Sequence, residues 1–443
     1  MLYPAELSGQ FQTTSLDFPS PPVFNLAMRH TIVVTRTIST LALLAIFCLF
    51  STPTRAASAE QTHASTHTST QPVALRIATF NIEDVRSGDL DTPDHPRLKQ
   101  IAQIIQRMRP NVLLLNELAV RNDSTLEATQ SNANRFVELY LSVPQAPGLK
   151  PITYDTYTPA TNTGLHSGHD LDHSGETVST HPTPSPTQTA AGRAYGNDAF
   201  GFGTFLGQYG MALLVNPKLT IQKDQIRTFK HLLWKDLPGH TAPTNPDGSN
   251  YYTDEEWNDF RLSSKNFADV PILLPNGTVL HALISHPTPP AFDGPEARNK
   301  RRNHDEIMLL RKYIDNHPAL TDDQGNSGGL ADGSSFVIMG DLNADPSDGS
   351  SLDLVMITQI LTSTKLADDV FPRSSIEIND IEGLDATDTA RFKLRVDYVL
   401  PSSDIQITNS GIWRKPSINT SDDQEEPAFP SDHFPVWIET IVP

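Results

Sequence analysis

The amino-acid sequence predicts an α/β fold built as one large domain. Its first ordered stretch follows the order strand, helix, strand over residues 75–80, 96–108 and 112–115. A second alternation comes later, where a hairpin at 270–284 precedes another helix and another strand. Elements in this order bury sheets beneath helices, and no internal repeat divides the chain into copies of a smaller unit.

The opening elements follow from apolar periodicity. Residues 75–80 alternate in the way a half-buried strand does. A helix is predicted to start at Pro96 and to stop before Pro110, because its apolar residues recur on one face. Those residues are Leu98, Ile101, Ile105 and Met108. The apolar run at 112–115 follows at once and fits a buried strand.

Loops separate the later elements. Residues 121–205 contain Pro/Ser/Thr/Gly-rich stretches with little periodicity, and we interpret them as a long surface insertion. A hairpin is predicted around the turn Pro275-Asn276-Gly277. A helix is predicted over 305–313, because its apolar residues share one face and its basic residues come late. The remaining predicted strands are residues 211–215, 336–339, 395–400 and 435–439.

The first 59 residues are expected to be removed rather than folded. The apolar run at 41–50 is about half the length of a membrane span, with basic residues before it and small residues after it. This is the pattern of a secretory signal peptide, and an uncleaved membrane anchor is the alternative. Because Met28 stands just ahead of the basic residues, we interpret residues 1–27 as an over-extended start.

Composition narrows the class of protein further. Residues 60–73 are polar and predict a linker ahead of a catalytic domain at 74–443. The chain carries 33 Lys+Arg and 52 Asp+Glu, which gives a net charge of −19. This negative charge argues against nucleic-acid binding by general electrostatic attraction to the phosphates. The single cysteine, Cys48, lies in the apolar run, which excludes a disulfide scaffold and a multi-cysteine metal site. The mature protein is therefore expected to be thiol-free.

Polar residues stand at the ends of the predicted strands, where α/β folds assemble sites on rigid supports. Asn81 follows the first strand, and Glu117 ends the second, where a carboxylate is costly unless it is hydrogen-bonded or binds a cation. Asp341 and Asn343 are two residues apart, so they share a face if the chain stays extended. An Asx-turn is the alternative there. The other polar residues at strand ends are His286, Asp397, Asp432 and His433.

In this order the motifs resemble those of the endonuclease/exonuclease/phosphatase superfamily, which includes pancreatic deoxyribonuclease. GDLNADP at 340–346 and SDHFPV at 431–436 are similar to the two strongest motifs of that family. TFNIE, LLLNE and RVDYVL are similar to its weaker motifs, and the likeness covers residues 75–441. The resemblance implies a four-layer α-β-β-α sandwich with two packed mixed β-sheets and a site at one rim.

The resemblance also implies a metal site. Glu117 would be the main metal ligand, with Asn81 and Asp432 beside it. Carboxylate and amide oxygens without thiolates suit a hard cation, so Mg²⁺ is expected, with Mn²⁺ or Ca²⁺ as alternatives. Such a cation would supply local positive charge for an anionic substrate on an acidic protein.

The remaining matched residues are implied to act on the phosphoryl group. Asp341 would orient or deprotonate the attacking water, and Asn343 would hydrogen-bond the phosphoryl oxygens. His433, oriented by Asp397, and His286 would stabilise or protonate the pentavalent transition state.

Two further segments are weaker candidates. Arg261 lies in a segment that resembles the one where the family places a phosphate-contacting arginine, which makes it a candidate phosphate ligand. The loop at 166–175 has Asp170 and Asp172 at the spacing of a calcium loop, but His181 stands where such a loop has glutamate. Zinc binding by the histidines of this loop, or a plain polar surface loop, are the alternatives.

These features together predict a secreted or periplasmic, divalent-metal-dependent phosphoesterase. The preferred substrate is the phosphodiester bond of DNA or RNA, which makes the protein a nuclease. The first alternative is a phosphatase or sphingomyelinase-like esterase on inositol phosphates or phospholipid headgroups. The second is a catalytically inactive binding protein on the same fold, because fold alone does not decide function. No stable membrane insertion after signal cleavage and no obligate protein partner are expected.

Overall fold

The computed structural model describes residues 71–120, 131–183, 185–368, 371–376, 381–415 and 428–443. The predicted signal peptide at 1–59 lies outside the described residues, as does nearly all of the linker at 60–73. Among the helices that are described, none is both long and apolar enough to cross a bilayer.

Twelve strands and five α-helices form in the described part of the chain. The strands are β1 (Val73–Val85), β2 (Val112–Leu118), β3 (Asp155–Tyr157), β4 (Met211–Val215), β5 (Thr220–Ile221), β6 (Arg227–Thr228), β7 (Phe267–Leu273), β8 (Val279–Ser285), β9 (Ser335–Asp341), β10 (Asp397–Pro401), β11 (Gln406–Ile412) and β12 (Val436–Val442). The helices are α1 (Pro96–Met108), α2 (Asn132–Phe136), α3 (Ala190–Asn197), α4 (Asp254–Asp259) and α5 (Arg298–Ile314). Short 3₁₀ or π turns occupy Ser87–Leu90, Val137–Leu141, Lys223–Gln225, Trp234–Asp236, Leu352–Leu354 and Met356–Leu361.

The strands form two mixed sheets. The first has the order β11-β12-β1-β2-β4-β3, and the second has the order β10-β9-β8-β7-β5, with β6 paired to β7. Each sheet contains one parallel pair, β1 with β2 and β8 with β9, and its other pairs are antiparallel. Because both parallel pairs end at the same rim, the polar residues at their carboxyl ends come together there.

Alternation along the strands creates the layers. In β2, Val112 and Leu114 point into a core that both sheets share, while Leu113 and Leu115 point outward into a second core with α1. On the second sheet, Tyr313 of α5 packs its ring 4.9 Å from that of Phe267 in β7. The result is the predicted α-β-β-α sandwich.

Helix α5 begins seven residues before the predicted start at residue 305. Its first two turns are too polar to show apolar periodicity, yet Arg302 is buried and donates hydrogen bonds to the carbonyls of Leu262 and Phe200. The Asp293 carboxylate also accepts the N–H groups of Asn299 and Lys300 at 2.7 and 3.0 Å. Tertiary contacts and this cap therefore extend the helix beyond what the pattern predicts.

The insertion at 121–205 is more ordered than predicted where it is described. It contributes α2, α3 and the edge strand β3, and the rings of Phe136 and Tyr140 are fully buried against the α1 core. They belong to an apolar stripe at helical spacing that anchors the segment on this core, formed by Ala133, Phe136, Val137, Tyr140 and Leu141. The expectation of an irregular surface loop was therefore wrong for this part of the insertion.

Candidate active site

The predicted site residues of the two sheets meet at the shared rim. Asn81 near the end of β1 donates through its side-chain amide to Asp341 at the end of β9, at 3.0 Å, and to Glu117 of β2, at 3.3 Å. Asn81 is fully buried, and its backbone carbonyl accepts a 2.7 Å hydrogen bond from the Ser431 hydroxyl. Asn81 therefore joins the two sheets and both halves of the site.

Asp341 lies between two imidazoles. Its Oδ2 is 3.5 Å from Nε2 of His286 and 3.7 Å from Nε2 of His433, and its Oδ1 accepts the N–H of Asn343 at 2.9 Å. Burial would raise the pKa of this carboxyl, but the neighbouring His433 and His286 lower it below its usual range. Asp341 is therefore an ionised, hydrogen-bonded carboxylate at the centre of the cluster.

His433 and Asp397 form a buried pair. Nδ1 of His433 lies 2.8 Å from Oδ2 of Asp397, which is directly opposite Asp341 in the β9–β10 register. Burial opposes charging of the imidazole, but the carboxylates of Asp397 and Asp341 raise the pKa of His433 well above its usual value. Burial raises the pKa of Asp397 to about 6. The imidazolium form is thereby favoured, and Asp397 fixes the orientation of its ring.

These three groups lie close enough to hold a metal ion, but their contacts favour another role. Single ligand atoms of Asp341, Asp397 and His433 lie within 4.8 Å of one another. A protonated imidazole has no lone pair for a metal, and Nδ1 of His433 is already directed at Asp397. We therefore assign these residues to proton and hydrogen-bond chemistry.

The carboxylates around Glu117 fit a divalent cation better. Removal from bulk water and the charge of Asp432 raise the pKa of Glu117 to about 7, and burial likewise raises the pKa of Asp432. A buried carboxylate whose ionised form is disfavoured both by burial and by a neighbouring carboxylate is the arrangement that a bound cation relieves. The hard donors here are the carboxylate oxygens of Glu117 and Asp432. The side-chain oxygen of Asn81 accepts the Glu83 N–H at 3.0 Å and has one further lone pair to offer.

Asp84, which the sequence did not single out, supports Glu117. Its backbone N–H donates to Oε2 of Glu117 at 2.8 Å. Its carboxylate accepts hydrogen bonds from the Gln208 amide at 3.0 Å and from the Arg86 guanidinium at 2.6 Å. Gln208, just after the predicted insertion, is thus linked to Glu117 through Asp84.

His286 and Asn343 line the other side of Asp341. Burial and the nearby Lys265 lower the pKa of His286 to about 4, so the neutral imidazole is favoured. The Asn343 amide donates to the carbonyl of Pro287 at 3.1 Å. The Pro287 carbonyl, in the proline-rich turn after His286, therefore fixes the Asn343 amide beside Asp341.

Lys265 is a second residue that sequence reasoning missed. It is 6% exposed, its Nζ donates to the Pro287 carbonyl at 3.3 Å, and its charge acts on Glu306, Glu117 and Asp341. Burial lowers the pKa of its ammonium group. Lys265 stands two residues ahead of β7, but nothing in the neighbouring sequence indicates that its side chain is buried near the site.

Arg261 is held by contacts with Asn162 and Phe200. Its guanidinium donates to the side-chain oxygen of Asn162 at 2.8 Å and stacks over the Phe200 ring at 4.2 Å. None of its described contacts involves the Asp341 cluster, so the structure shows no direct link between this predicted phosphate ligand and that cluster. The segment nevertheless places one cation near the cluster, because Lys265 donates to the carbonyl of Pro287, the residue after His286.

The loop at 166–175 gathers acidic groups. Ligand atoms of Asp170, Asp172 and Asp198 lie within 4.8 Å of one another, and the sequence pattern did not include Asp198. Asp170 accepts the N–H groups of Ser174 and Gly175 at 2.9 and 2.7 Å. Hydrogen bonds inside the loop thus account for the spacing that resembles a calcium loop.

Glu306 of α5 holds two segments of the site in place. Its carboxylate accepts the backbone N–H groups of Ser264 and Thr288, both at 2.6 Å, and it is 4% exposed. We expect Glu306→Gln to lower the free energy of unfolding by about 2 kcal/mol, because one buried N–H then meets an amide donor. Urea denaturation measures the change. Glu255→Gln, at an exposed position of α4, is the matched control, and equal midpoints for the two variants would contradict this role.

Comparison with known proteins agrees with this geometry. The family model described as Endonuclease/Exonuclease/phosphatase family matches residues 78–433. Comparison with curated protein sequences finds no match. Similar solved structures include an endonuclease/exonuclease/phosphatase from Beutenbergia cavernae DSM 12333, with 14% identity over 83% of this chain and 72% of that one at a TM-score of 0.43.

Two further structures have comparable values. A family protein from Bacteroides thetaiotaomicron shows 14% identity over 84% of this chain and 96% of that one, at a TM-score of 0.41. The human Nocturnin catalytic domain with bound sulfate shows 14% identity over 84% and 94%, at a TM-score of 0.40. The family model, which matches most of the chain, decides the assignment. The chain belongs to the endonuclease/exonuclease/phosphatase family and is a hydrolase of phosphoesters.

Proposed function

We propose that the protein is a divalent-metal-dependent nuclease that hydrolyses phosphodiester bonds. The observation that carries this proposal is the position of Asp341, which lies between the imidazoles of His286 and His433 and is joined through Asn81 to the carboxylate of Glu117. This arrangement offers a water-orienting carboxylate, a charged hydrogen-bond donor and a cation position within one cluster.

The metal position is proposed at Glu117, Asn81 and Asp432, with Mg²⁺ as the expected ion. When bound, a divalent cation neutralises phosphate charge and polarises the bond to be cleaved. Asp341 is proposed to orient the attacking water rather than to deprotonate it. Both of its oxygens already accept hydrogen bonds and its pKa is lowered, which makes the carboxylate a weak base.

His433 is proposed to serve the leaving oxygen. Its Nδ1 is occupied by Asp397, so Nε2 is the atom that can donate to substrate. An imidazolium held in this orientation can donate a hydrogen bond, and then a proton, as negative charge develops on the leaving group. His286 and Asn343 are proposed to hydrogen-bond the other phosphoryl oxygens.

The surroundings of His433 support a nucleoside leaving group. The Phe392 ring meets the imidazole edge to face, at 5.3 Å between centroids and 79° between planes. Phe392 is partly exposed, so one face of the donor imidazole has an aromatic wall beside it. Planar bases pack favourably on such walls, which favours nucleic acid over a bare sugar phosphate.

A phospholipid-headgroup esterase is the second candidate. Phe202 and Leu206 are 37% and 38% exposed, and they lie close in sequence to Gln208, which contacts Asp84 beside Glu117. Exposed apolar side chains near the mouth of a site suit a lipid surface. The exposure of Phe202 and Leu206 is the observation that favours this second candidate function.

We expect purified protein to hydrolyse one substrate class in a set of four: single-stranded DNA, RNA, sphingomyelin vesicles and bis-p-nitrophenyl phosphate. Removal of divalent ions with EDTA should reduce turnover by about 10³-fold or more, since the cation carries much of the charge stabilisation. Added Mg²⁺, Mn²⁺ and Ca²⁺, tested separately, identify the ion. Release of nucleotides and of phosphocholine is measured by chromatography, and release of p-nitrophenol is measured by absorbance.

The outcomes separate the candidates. Hydrolysis of DNA or RNA supports the nuclease, and hydrolysis of sphingomyelin alone supports the second candidate. Turnover that is unaffected by EDTA contradicts the metal dependence. A rate that is equally small for wild type and for Asp341→Ala contradicts catalysis by this cluster.

A further inference from the structure

A second site-like feature lies away from the Asp341 cluster. A cavity of about 540 Å³ opens between the end of α1, the loop at 148–150 and the segment that follows β11. Four cationic side chains and one indole line it, and no carboxylate is among its described lining residues. Those five side chains are Arg107, Arg109, Lys150, Lys415 and Trp413, and they define what is here termed the basic cavity.

Topology separates the basic cavity from the active site. Arg109 is the first residue after α1. Two residues later, Asn111 donates its backbone N–H to the Arg76 carbonyl near the start of β1. From Asn111 to Glu117 the chain runs six residues in extended form, roughly 20 Å. The α1 end of the basic cavity and the metal side of the active site thus lie at opposite ends of β2.

The walls of the basic cavity are held by specific contacts. Arg109 has a left-handed backbone at φ 50° and donates to the carbonyls of Lys150 and Pro151 at 2.9 and 3.3 Å, which fixes the loop against the helix. The Trp413 indole N–H donates to the Lys415 carbonyl at 2.9 Å. Backbone atoms of both lysines are therefore anchored, while their side chains are exposed.

Helix capping does not explain all of this charge. Cations at the C-terminal end of a helix offset its unpaired carbonyls, which accounts for Arg107 and Arg109. Lys150 and Lys415 come from two other segments and have no such role. In a chain with a net charge of −19, four cations around one cavity mark a place where an anion is favoured.

We propose that the basic cavity binds a nucleotide unit, with its phosphate between Lys150 and Lys415 and its base against the indole of Trp413. Cationic grooves with an aromatic platform bind single strands in this way, and the volume suits a ligand of nucleotide size. The unit can come from a single strand or from a free nucleotide. Binding of a single strand rests on the proposed nuclease function. The basic cavity would then give the substrate strand a contact outside the active site.

Binding is tested with the full chain under conditions that prevent hydrolysis. The His433→Gln variant in EDTA is titrated against a fluorescein-labelled single strand of twelve thymidines, and binding is followed by fluorescence anisotropy over a series of salt concentrations. Adenosine monophosphate is added as competitor. Displacement by the mononucleotide identifies a free nucleotide as sufficient, whereas binding of the strand alone identifies the strand as the source.

The charge-reversal pair Lys150→Glu and Lys415→Glu tests the position of the site. In this background the dissociation constant should rise at least about tenfold at low salt, and the salt slope should fall by about 1.4, since two phosphate contacts are lost. Lys218→Glu with Lys223→Glu, at exposed positions between β4 and β6, makes the same change of net charge and should leave binding nearly unchanged. Trp413→Phe should weaken binding severalfold without changing the salt slope.

The proposal is overturned if the strand does not bind, or if both lysine pairs weaken binding equally, because the effect is then one of total charge. Failure of this inference is distinguishable from failure of the proposed nuclease activity. Hydrolysis of DNA by wild type without binding at Lys150 and Lys415 overturns the basic cavity alone. Binding that depends on these lysines in a protein that hydrolyses no nucleic acid overturns the nuclease proposal alone.

Discussion

Replacing His433 with glutamine is expected to reduce turnover about 10²- to 10⁴-fold, the range typical of a lost general acid. Glutamine can still donate a hydrogen bond, but it carries no positive charge and no transferable proton. Asp397 would also lose the charged partner that lies 2.8 Å from its Oδ2. Initial rates on the hydrolysed substrate, measured at saturating metal, give the change in kcat and in kcat/KM.

The chain supplies a matched control for this variant. His281 makes the same kind of contact, with its Nδ1 2.9 Å from the Asp269 carboxylate, but it lies in β8 away from the cluster. His281→Gln should therefore leave turnover unchanged within about threefold. Asp397→Asn combined with His433→Gln should lose no more than His433→Gln alone, because Asp397 acts through the imidazole. Equal losses from His281→Gln and His433→Gln would show that stability, rather than catalysis, is being measured.

Replacing Gly340 with alanine is expected to damage both stability and activity. Gly340 has φ 147°, and a Cβ placed there would overlap the backbone carbonyl oxygen of Ser285 on the parallel neighbour strand. Strands β8 and β9 would have to separate, and they carry His286 and Asp341 at their ends. We expect the free energy of unfolding to fall by about 3 kcal/mol, as for other overpacked positions. Urea denaturation monitored by far-UV circular dichroism measures it.

Gly88 is the control for this substitution. A Cβ there meets its nearest neighbour, a side-chain oxygen of Asp91, only at 4.0 Å. Gly88→Ala should therefore change the free energy of unfolding by about 0.5 kcal/mol or less. A Gly340→Ala protein that unfolds at the wild-type midpoint with full activity would refute the close approach of the two strands.

Much of the fold could be predicted because its signals are local. The helix at Pro96–Met108 has an apolar face and proline at its start, and the observed α1 has the predicted bounds. The hairpin around Pro275-Asn276-Gly277 likewise forms as β7 and β8. Apolar spacing and turn chemistry are decided by residues within a few positions of one another.

Other features had no local signal. The burial of Arg302 depends on carbonyls of Leu262 and Phe200, 40 and 102 positions away in the chain, so the early start of α5 could not be inferred from its polar first turns. The role of Glu306 could not be inferred either, because its two N–H partners lie 42 and 18 residues away in the chain. Arg261 and Lys265 illustrate the limit most directly, because both are cations of one short segment and only the tertiary structure distinguishes them.

The sequence by itself determined the α/β class, the order of the strand-end motifs and the residue types available for phosphoester chemistry. Those properties follow from spacing along the chain. Only the tertiary structure decided that Asn81 joins Asp341 to Glu117 and that Asp397 orients His433. It also decided that the Lys265 ammonium binds the Pro287 carbonyl beside His286, whereas Arg261 binds Asn162. The physical reason is that hydrogen bonds and charge interactions depend on distance in space, and the packing of two sheets brings together residues as much as 260 positions apart.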